Sequence, residues 1–219
     1  MNKIVKRIKE SQHVEYLLFN KIPILIKDKT TNQIDFNKLV DVLEKTIPYS
    51  FRNLVKSIKV LDDPIFDQRK INALYKDDEI LLSNKQDDLN DILDDIVHEF
   101  AHALDKKLKK QIYSDNEIKK EFLSKREQLQ RILNSYDFEA SEYDFANVEF
   151  DYGLDNFLLN VVGYEKIKKL TNYGLFINPY AATSLKEYFA TGLEEYILGD
   201  HIDLKNISPK LYEKIKQIL

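Results

Sequence analysis

The chain has 219 residues, of which 43% are hydrophobic and 32% are charged. This length and balance fit one domain, or two small subdomains that share a core. The net charge is −4, which argues against nucleic acid or an anionic membrane as the main partner. Cysteine is absent, so the sequence excludes disulfides and thiolate nucleophiles. Any bound metal must therefore have nitrogen and oxygen ligands.

The N-terminal region predicts neither a membrane span nor a leader. Its most apolar run, Val14 to Ile26, is interrupted by charged and polar residues and by Pro23. Such a run is too short and too polar to cross a bilayer. No long apolar core precedes a small-residue cleavage site, so no signal peptide is expected. Residues 1–20 carry no functional pattern.

The first third of the chain predicts a mixed α/β region. The apolar run Ile22–Ile26 predicts a strand, and the alternation in Val55–Leu61 predicts another. The segment Phe36–Ile47 has the spacing of a helix. Residues 71–75 and 79–83 predict two short strands joined by a hairpin turn.

From about Asp87 onward the pattern becomes helical. Apolar residues at helical spacing predict helices over residues 87–109, 116–134, 156–170, 185–198 and 208–219. The last helix is expected to begin with Ser208 as its N-cap and Pro209 at its first position. The acidic, aromatic segment 136–152 has two interpretations. It is either a substrate-binding rim or lid that favours basic peptides, or an insertion that buries its aromatic side chains and solvates its acids.

The first of these long helices contains an HExxH motif at residues 98–102. Residues four apart lie on one face of a helix, so His98 and His102 can reach one zinc ion. Glu99 stands close enough to accept a proton from a water molecule at that ion. The alternative interpretation is a solvated polar face, and the two histidines together with Glu99 favour the metal site.

A catalytic zinc site usually has three protein ligands and one open position. The remaining histidines, His13 and His201, are poorly placed and are expected at the surface. A downstream carboxylate is the expected third ligand, and Glu187 is the best candidate. It lies on the polar face of the helix 185–198, whose other face is apolar. Alternatives in the same helix are Glu194 and Glu195.

Two segments of the chain resemble a known family. The segment 98–105, HEFAHALD, and the Tyr-x6-Glu segment 180–187 are similar to the catalytic domain of anthrax lethal factor and to the related secreted Pro-Pro endopeptidases. The resemblance implies a zinc metallopeptidase of the gluzincin type, secreted or delivered to a host cell, with a toxin-like role. It covers these motifs and roughly the order of elements from Ile58 to Leu198, and does not extend to the first 50 residues.

The resemblance also implies roles for five residues. His98, His102 and Glu187 would bind one zinc ion. Glu99 would be the general base, and Tyr180 would donate its phenol to the developing oxyanion.

The chain departs from the family in three places. The two motifs are further apart than in the family, and the extra length falls in residues 111–150. Ala101 replaces the expected glycine. Thr191 stands where related enzymes often carry a carboxylate that orients a ligating histidine. That role would fall to the Thr191 hydroxyl, or else to Asp94 or Asp105.

The sequence thus predicts one α+β, zincin-like metallopeptidase domain over residues 1–219. A small N-terminal α/β sheet subdomain (about 1–86) and a mostly helical subdomain (about 87–219) would have the active-site cleft between them. The strand 79–83 is expected to form the cleft edge, where an extended peptide adds as a further strand. The predicted function is that of a monomeric zinc-dependent endopeptidase acting on a peptide or protein substrate.

Two other functions remain open at this point. One is a metal-stabilised binding or regulatory module that cleaves nothing. The presence of both Glu99 and Tyr180 argues against it, because a decayed enzyme often loses its base. The other is a zinc hydrolase that acts on a non-peptide amide.

Overall fold

The computed structural model describes residues 14–219, with side chains from residue 16 onward. Helices predominate and five strands form one mixed sheet, so the expected α+β class is confirmed. The chain forms two compact units, Met1–Lys107 and Leu108–Leu219. Within the described part of the chain, no helix is both long and apolar enough to cross a membrane. His13, expected at the surface, lies outside the described residues.

The sheet belongs to the first unit. Its strands are β1 (Val14–Leu18), β2 (Ile22–Ile26), β3 (Ser57–Leu61), β4 (Ala73–Lys76) and β5 (Glu79–Ser83), in the order β1-β2-β3-β5-β4. β2, β3 and β5 are parallel, and the two outer strands pair antiparallel to their neighbours. Ile24, Ile58 and Ile80 are in register and fully buried, so one apolar row crosses the three central strands. Burial on this scale is the main force that holds a sheet to its helices.

The position of β5 differs from the prediction. The hairpin forms as expected, with Asp77 and Asp78 at its turn in left-handed conformations (φ 55° and 65°). However, β5 lies between β3 and β4, so the expectation that residues 79–83 form the edge is wrong. The parallel pairing of β3 with β5 leaves β4 outermost, and the sequence of a hairpin does not indicate which of its strands faces outward.

Among the described residues, the α-helices of the first unit begin at aspartate caps. They are α1 (Phe36–Thr46), α2 (Pro64–Arg69) and α3 (Leu89–Tyr113), of which α3 runs on into the second unit. The α1 and α2 caps are Asp35 and Asp63, whose carboxylates accept first-turn N–H bonds. Asp88 does the same for α3. The backbone of α3 is helical except at Leu108 (φ −108°, ψ 16°).

The predicted apolar stripe of α3 is buried as expected. Ile92, Ile96 and Phe100 have no solvent exposure, and the Phe100 ring lies 5.7 Å from the ring of Phe51. This face fixes the rotation of the helix, and it therefore decides where the motif side chains point.

The second unit is helical. Its helices are α4 (Glu117–Ser135), α5 (Tyr152–Asn156), α6 (Tyr164–Leu170), α7 (Leu185–Leu198), α8 (His201–Ile207) and α9 (Pro209–Ile218). The prediction of one continuous helix over residues 156–170 is wrong. The segment Phe157–Val162 is π-helical and ends at Gly163. The φ of Gly163 is +88°, a conformation that glycine adopts readily and that breaks a helix.

The acidic, aromatic segment has little regular structure beyond a 3₁₀ turn at Ala140–Glu142. It is held by Arg126, which is fully buried and donates to the carbonyl oxygens of Asp144 and Asn147. The guanidinium lies over the ring of Phe145, which is also buried. Here an aromatic side chain is buried beside solvated acids, as in the insertion interpretation.

At the start of α9, the capping side chain differs from the predicted one. Ser208 is the N-cap residue, but its side chain makes no capping hydrogen bond. Instead the Glu121 carboxylate accepts from the backbone N–H groups of Lys210 (2.9 Å) and Leu211 (3.1 Å) and from the hydroxyl of Tyr188 (2.8 Å). One carboxylate therefore ties α4, α7 and α9 together.

Candidate metal centre

The two motif histidines are half-buried on α3. Their ring centroids are 4.9 Å apart at an interplanar angle of 76°. Between them, Phe100 and Ala101 are completely buried. The burial of these residues holds the helix face in place, so the imidazoles project from a rigid element.

Glu187 lies in the first turn of α7. The hydroxyl of Ser184 accepts a hydrogen bond from the backbone N–H of Glu187 at 3.1 Å and so caps the helix. An acidic residue in a first helical turn also interacts favourably with the helix dipole. Local structure thus favours an acidic residue at this position.

His98, His102 and Glu187 are close enough to bind one metal ion. One ligand atom from each lies within 4.8 Å of those of the other two. Two imidazole nitrogens and one carboxylate oxygen form a donor set that suits zinc and leaves a position for water. Among the described residues, Glu187 belongs to this group, whereas the alternatives Glu194 and Glu195 do not.

Comparisons of the chain with protein-family models, curated proteins and solved structures give no match.

Glu99 is anchored by the sheet. Only 6% of the residue is exposed, and its Oε2 accepts a hydrogen bond from the backbone N–H of Tyr75 at 2.5 Å. Tyr75 belongs to β4, the outer strand, and its hydroxyl donates to Asp78 at 2.9 Å. The carboxylate is therefore held beside β4, the outer strand of the sheet.

Tyr180 lies in a short 3₁₀ helix, Pro179–Ala182, and is half-buried. Its carbonyl oxygen accepts from the backbone N–H and from the hydroxyl of Thr183, at 3.0 and 2.8 Å. The Asn178 side chain accepts from the N–H of Ala181 at 3.0 Å. These bonds fix the turn in which Tyr180 lies, shortly before Glu187 in the chain.

Two residues near Glu187 had no signal in the sequence. The hydroxyl of Tyr164 donates to Asp155 at 3.3 Å. Burial raises the pKa of Asp155, the hydrogen bond from Tyr164 lowers it, and the negative charge of Glu187 raises it further. Burial also raises the pKa of Tyr164, and the negative charges of Asp155 and Glu187 raise it further. The pair comes from α5 and α6, separated by the π-helical segment, and no motif links the two helices.

The residues proposed to orient a histidine have different environments. Thr191 is buried, and its hydroxyl forms no hydrogen bond with any residue that the structure describes. Asp105 is 5% exposed, and Asp94 is exposed. His201 is exposed as expected, with its ring stacked on Tyr196.

Proposed function

We propose that the protein is a zinc-dependent endopeptidase with a zincin-like fold. The observation that carries the proposal is the proximity of the ligand atoms of His98, His102 and Glu187. Glu99, next to the first histidine, has the position that hydrolysis requires of a base. The mixed five-stranded sheet and the helical remainder are compatible with this fold class.

The residues of the site divide the chemistry of amide hydrolysis between them. A zinc ion held by His98, His102 and Glu187 would supply Lewis acidity and lower the pKa of water toward about 7. Glu99 accepts the proton of the attacking water and delivers it to the leaving amine. Such proton transfer typically contributes about 10²–10⁴-fold to the rate. Tyr180 donates its phenol to the oxyanion that develops on the scissile carbonyl.

The open edge of the sheet supports a peptide as the substrate. Among the described strands β4 pairs only with β5, and on its other side the Tyr75 N–H bonds to Glu99, so an extended chain could pair with the rest of that edge. Peptides bind such edges by adding a strand, with main-chain hydrogen bonds that tolerate many side chains. The bond between Tyr75 and Glu99 sets this edge beside the base.

The test is mass-spectrometric profiling of a diverse peptide mixture with zinc-loaded protein. The wild type is expected to cleave. Glu99→Gln should retain the metal and lose about 10²–10⁴-fold in kcat, because only the proton acceptor is removed. His98→Ala should lose the metal. Glu127→Gln removes an exposed glutamate of α4 and serves as the matched control, with wild-type cleavage and zinc content.

Two results would contradict the proposal. One is full activity of Glu99→Gln, which would exclude this residue as the base. The other is a wild-type protein that binds one zinc ion per chain and cleaves no peptide, which would favour a metal-stabilised binding module.

A further inference from the structure

A cavity of about 360 Å³ lies at the hairpin end of β4. It is lined by Tyr75 and Asp78 of the hairpin and by Lys56, which precedes β3. The part of α3 that follows the motif also lines it, including Lys106 and Lys107. Every residue of this lysine pocket belongs to the first unit.

The lysine pocket is cationic. Asp78 forms ion pairs with Lys56 at 3.0 Å and with Lys106 at 2.5 Å. Hydrogen bonds from Lys106, then from Lys56 and Tyr75, hold the pKa of Asp78 well below its usual range. Lys107 has no carboxylate partner among the described residues. Among the residues that line the pocket, three lysine ammonium groups thus stand with a single carboxylate, that of Asp78.

The lysine pocket adjoins Glu99. Tyr75 is one of the residues that line the pocket, and it donates its backbone N–H to Glu99. On α3, Glu99 is followed by Ala103 one turn later and by Lys106 and Lys107 after two turns, which places them along one face. A rise of 1.5 Å per residue separates Glu99 from Lys106 by about 10 Å. An extended peptide covers this distance in about three residues.

We propose that the lysine pocket is a subsite for an acidic side chain of the substrate, about three residues from the scissile bond. The inference rests on the proposed peptidase function and names its substrate class. The peptide would add along the open edge of β4, from Glu99 toward the hairpin. The carboxylate of an Asp or Glu side chain in the substrate would then compensate the positive charge of the lysines that Asp78 alone does not balance. This preference is opposite to the one expected if the acidic segment 136–152 were a rim that selects basic peptides.

The test compares peptides that differ only by Glu, Gln or Lys at one position, placed in turn up to four residues on either side of the cleaved bond. At about the third position, kcat/KM should be about three- to tenfold higher for Glu than for Gln, and lowest for Lys. Partly exposed ion pairs contribute little each, so the preference is modest. It should shrink as the salt concentration rises, because exposed charges are screened.

Lys107→Gln should reduce the Glu-to-Gln ratio by about two- to fivefold, since it removes the lysine without an ion pair. Lys45→Gln removes an exposed lysine of α1, outside the pocket, and should keep the ratio. Equal rates for Glu and Gln at every position, or a preference that Lys107→Gln leaves intact, would overturn the inference while the peptidase function stands.

A binding measurement separates failure of the inference from failure of the proposed function. Fluorescence anisotropy with the Glu99→Gln variant measures the affinity for the same peptides without turnover. Tighter binding of the Glu peptide that depends on Lys107 supports the acidic subsite even if the wild type cleaves nothing. Absence of both cleavage and selective binding overturns the function and the subsite together.

Discussion

At the scale of single residues, Glu187 is the proposed metal ligand whose position also has a purely structural explanation. Ser184 and Glu187 have the spacing of a capping box, in which the glutamate side chain bonds back to the N-cap N–H. In the structure the hydroxyl of Ser184 accepts from the N–H of Glu187, which is one half of this motif. The N–H of Leu185, the residue after the N-cap, donates to the carbonyl oxygen of Val148. The Glu187 carboxylate has its ligand oxygen near the two imidazoles.

Replacement of Glu187 distinguishes these two roles. Glu187→Gln keeps the shape and the cap but removes the anionic ligand, so zinc affinity should fall by more than about 100-fold. Substitutions outside the ligand set typically cost about 10–100-fold, which sets this lower limit. Competition with a chromophoric chelator measures the affinity. Glu194→Gln and Glu195→Gln lie on the same helix and are the controls. A larger loss in either control would transfer the ligand role to that residue.

The sequence predicts the site residues that local spacing brings together. His98 and His102 are four apart on one strongly periodic helix, and the rotation of that helix follows from its apolar stripe. Asp155 and Tyr164 could not be predicted in this way. They meet because a π-helical segment and a glycine with positive φ turn the chain between them, and neither feature has a reliable sequence pattern.

At the scale of elements, the close packing of α7 on α9 depends on Gly192. A Cβ atom at this position would stand 2.3 Å from Cδ2 and 2.9 Å from Cγ of Leu211, which is itself 1% exposed. Real side chains do not approach so closely, so one of the two helices would have to move. Glycine is otherwise unfavourable inside a helix by about 1 kcal/mol relative to alanine.

Gly192→Ala should therefore lower the free energy of unfolding by about 1–3 kcal/mol, the usual cost of overpacking. Urea denaturation provides the measurement. In the background Leu211→Ala the same change should be neutral or stabilising by up to about 1 kcal/mol, because the clash is gone and the helix propensity of alanine remains. Equal losses in both backgrounds would exclude this contact as the cause.

Helices and strands were predictable to different degrees for a physical reason. The apolar periodicity of α3 and α7 is determined within each segment, and both form close to their predicted bounds. Which strand of the β4–β5 hairpin is outermost depends on the pairing of β5 with β3, a contact between residues about 20 apart. The side chain that caps α9 is likewise that of Glu121, almost 90 residues earlier. The local Ser-Pro pattern therefore predicts where the helix begins but not which side chain caps it.

At the scale of the whole molecule, a bound metal should change the stability of the fold. A ligand that binds only the native state stabilises it by mass action, by about 2.7 kcal/mol at 100 times its Kd. For a chain of 150–250 residues, each kcal/mol corresponds to about 2–4 °C in Tm. Zinc should therefore raise Tm by roughly 5–10 °C, and a chelator should reverse the shift.

The variants make this stability change specific to the site. In calorimetry with zinc, Glu99→Gln should retain the increase in Tm because it leaves all three ligands in place. His98→Ala should lose it. Magnesium should give no increase in the wild type, since this ion prefers six oxygen ligands in octahedral geometry and binds imidazole poorly. If zinc raised the Tm of His98→Ala as much as that of the wild type, the stabilising ion would bind elsewhere. The effect of zinc on stability would then not depend on the motif on α3.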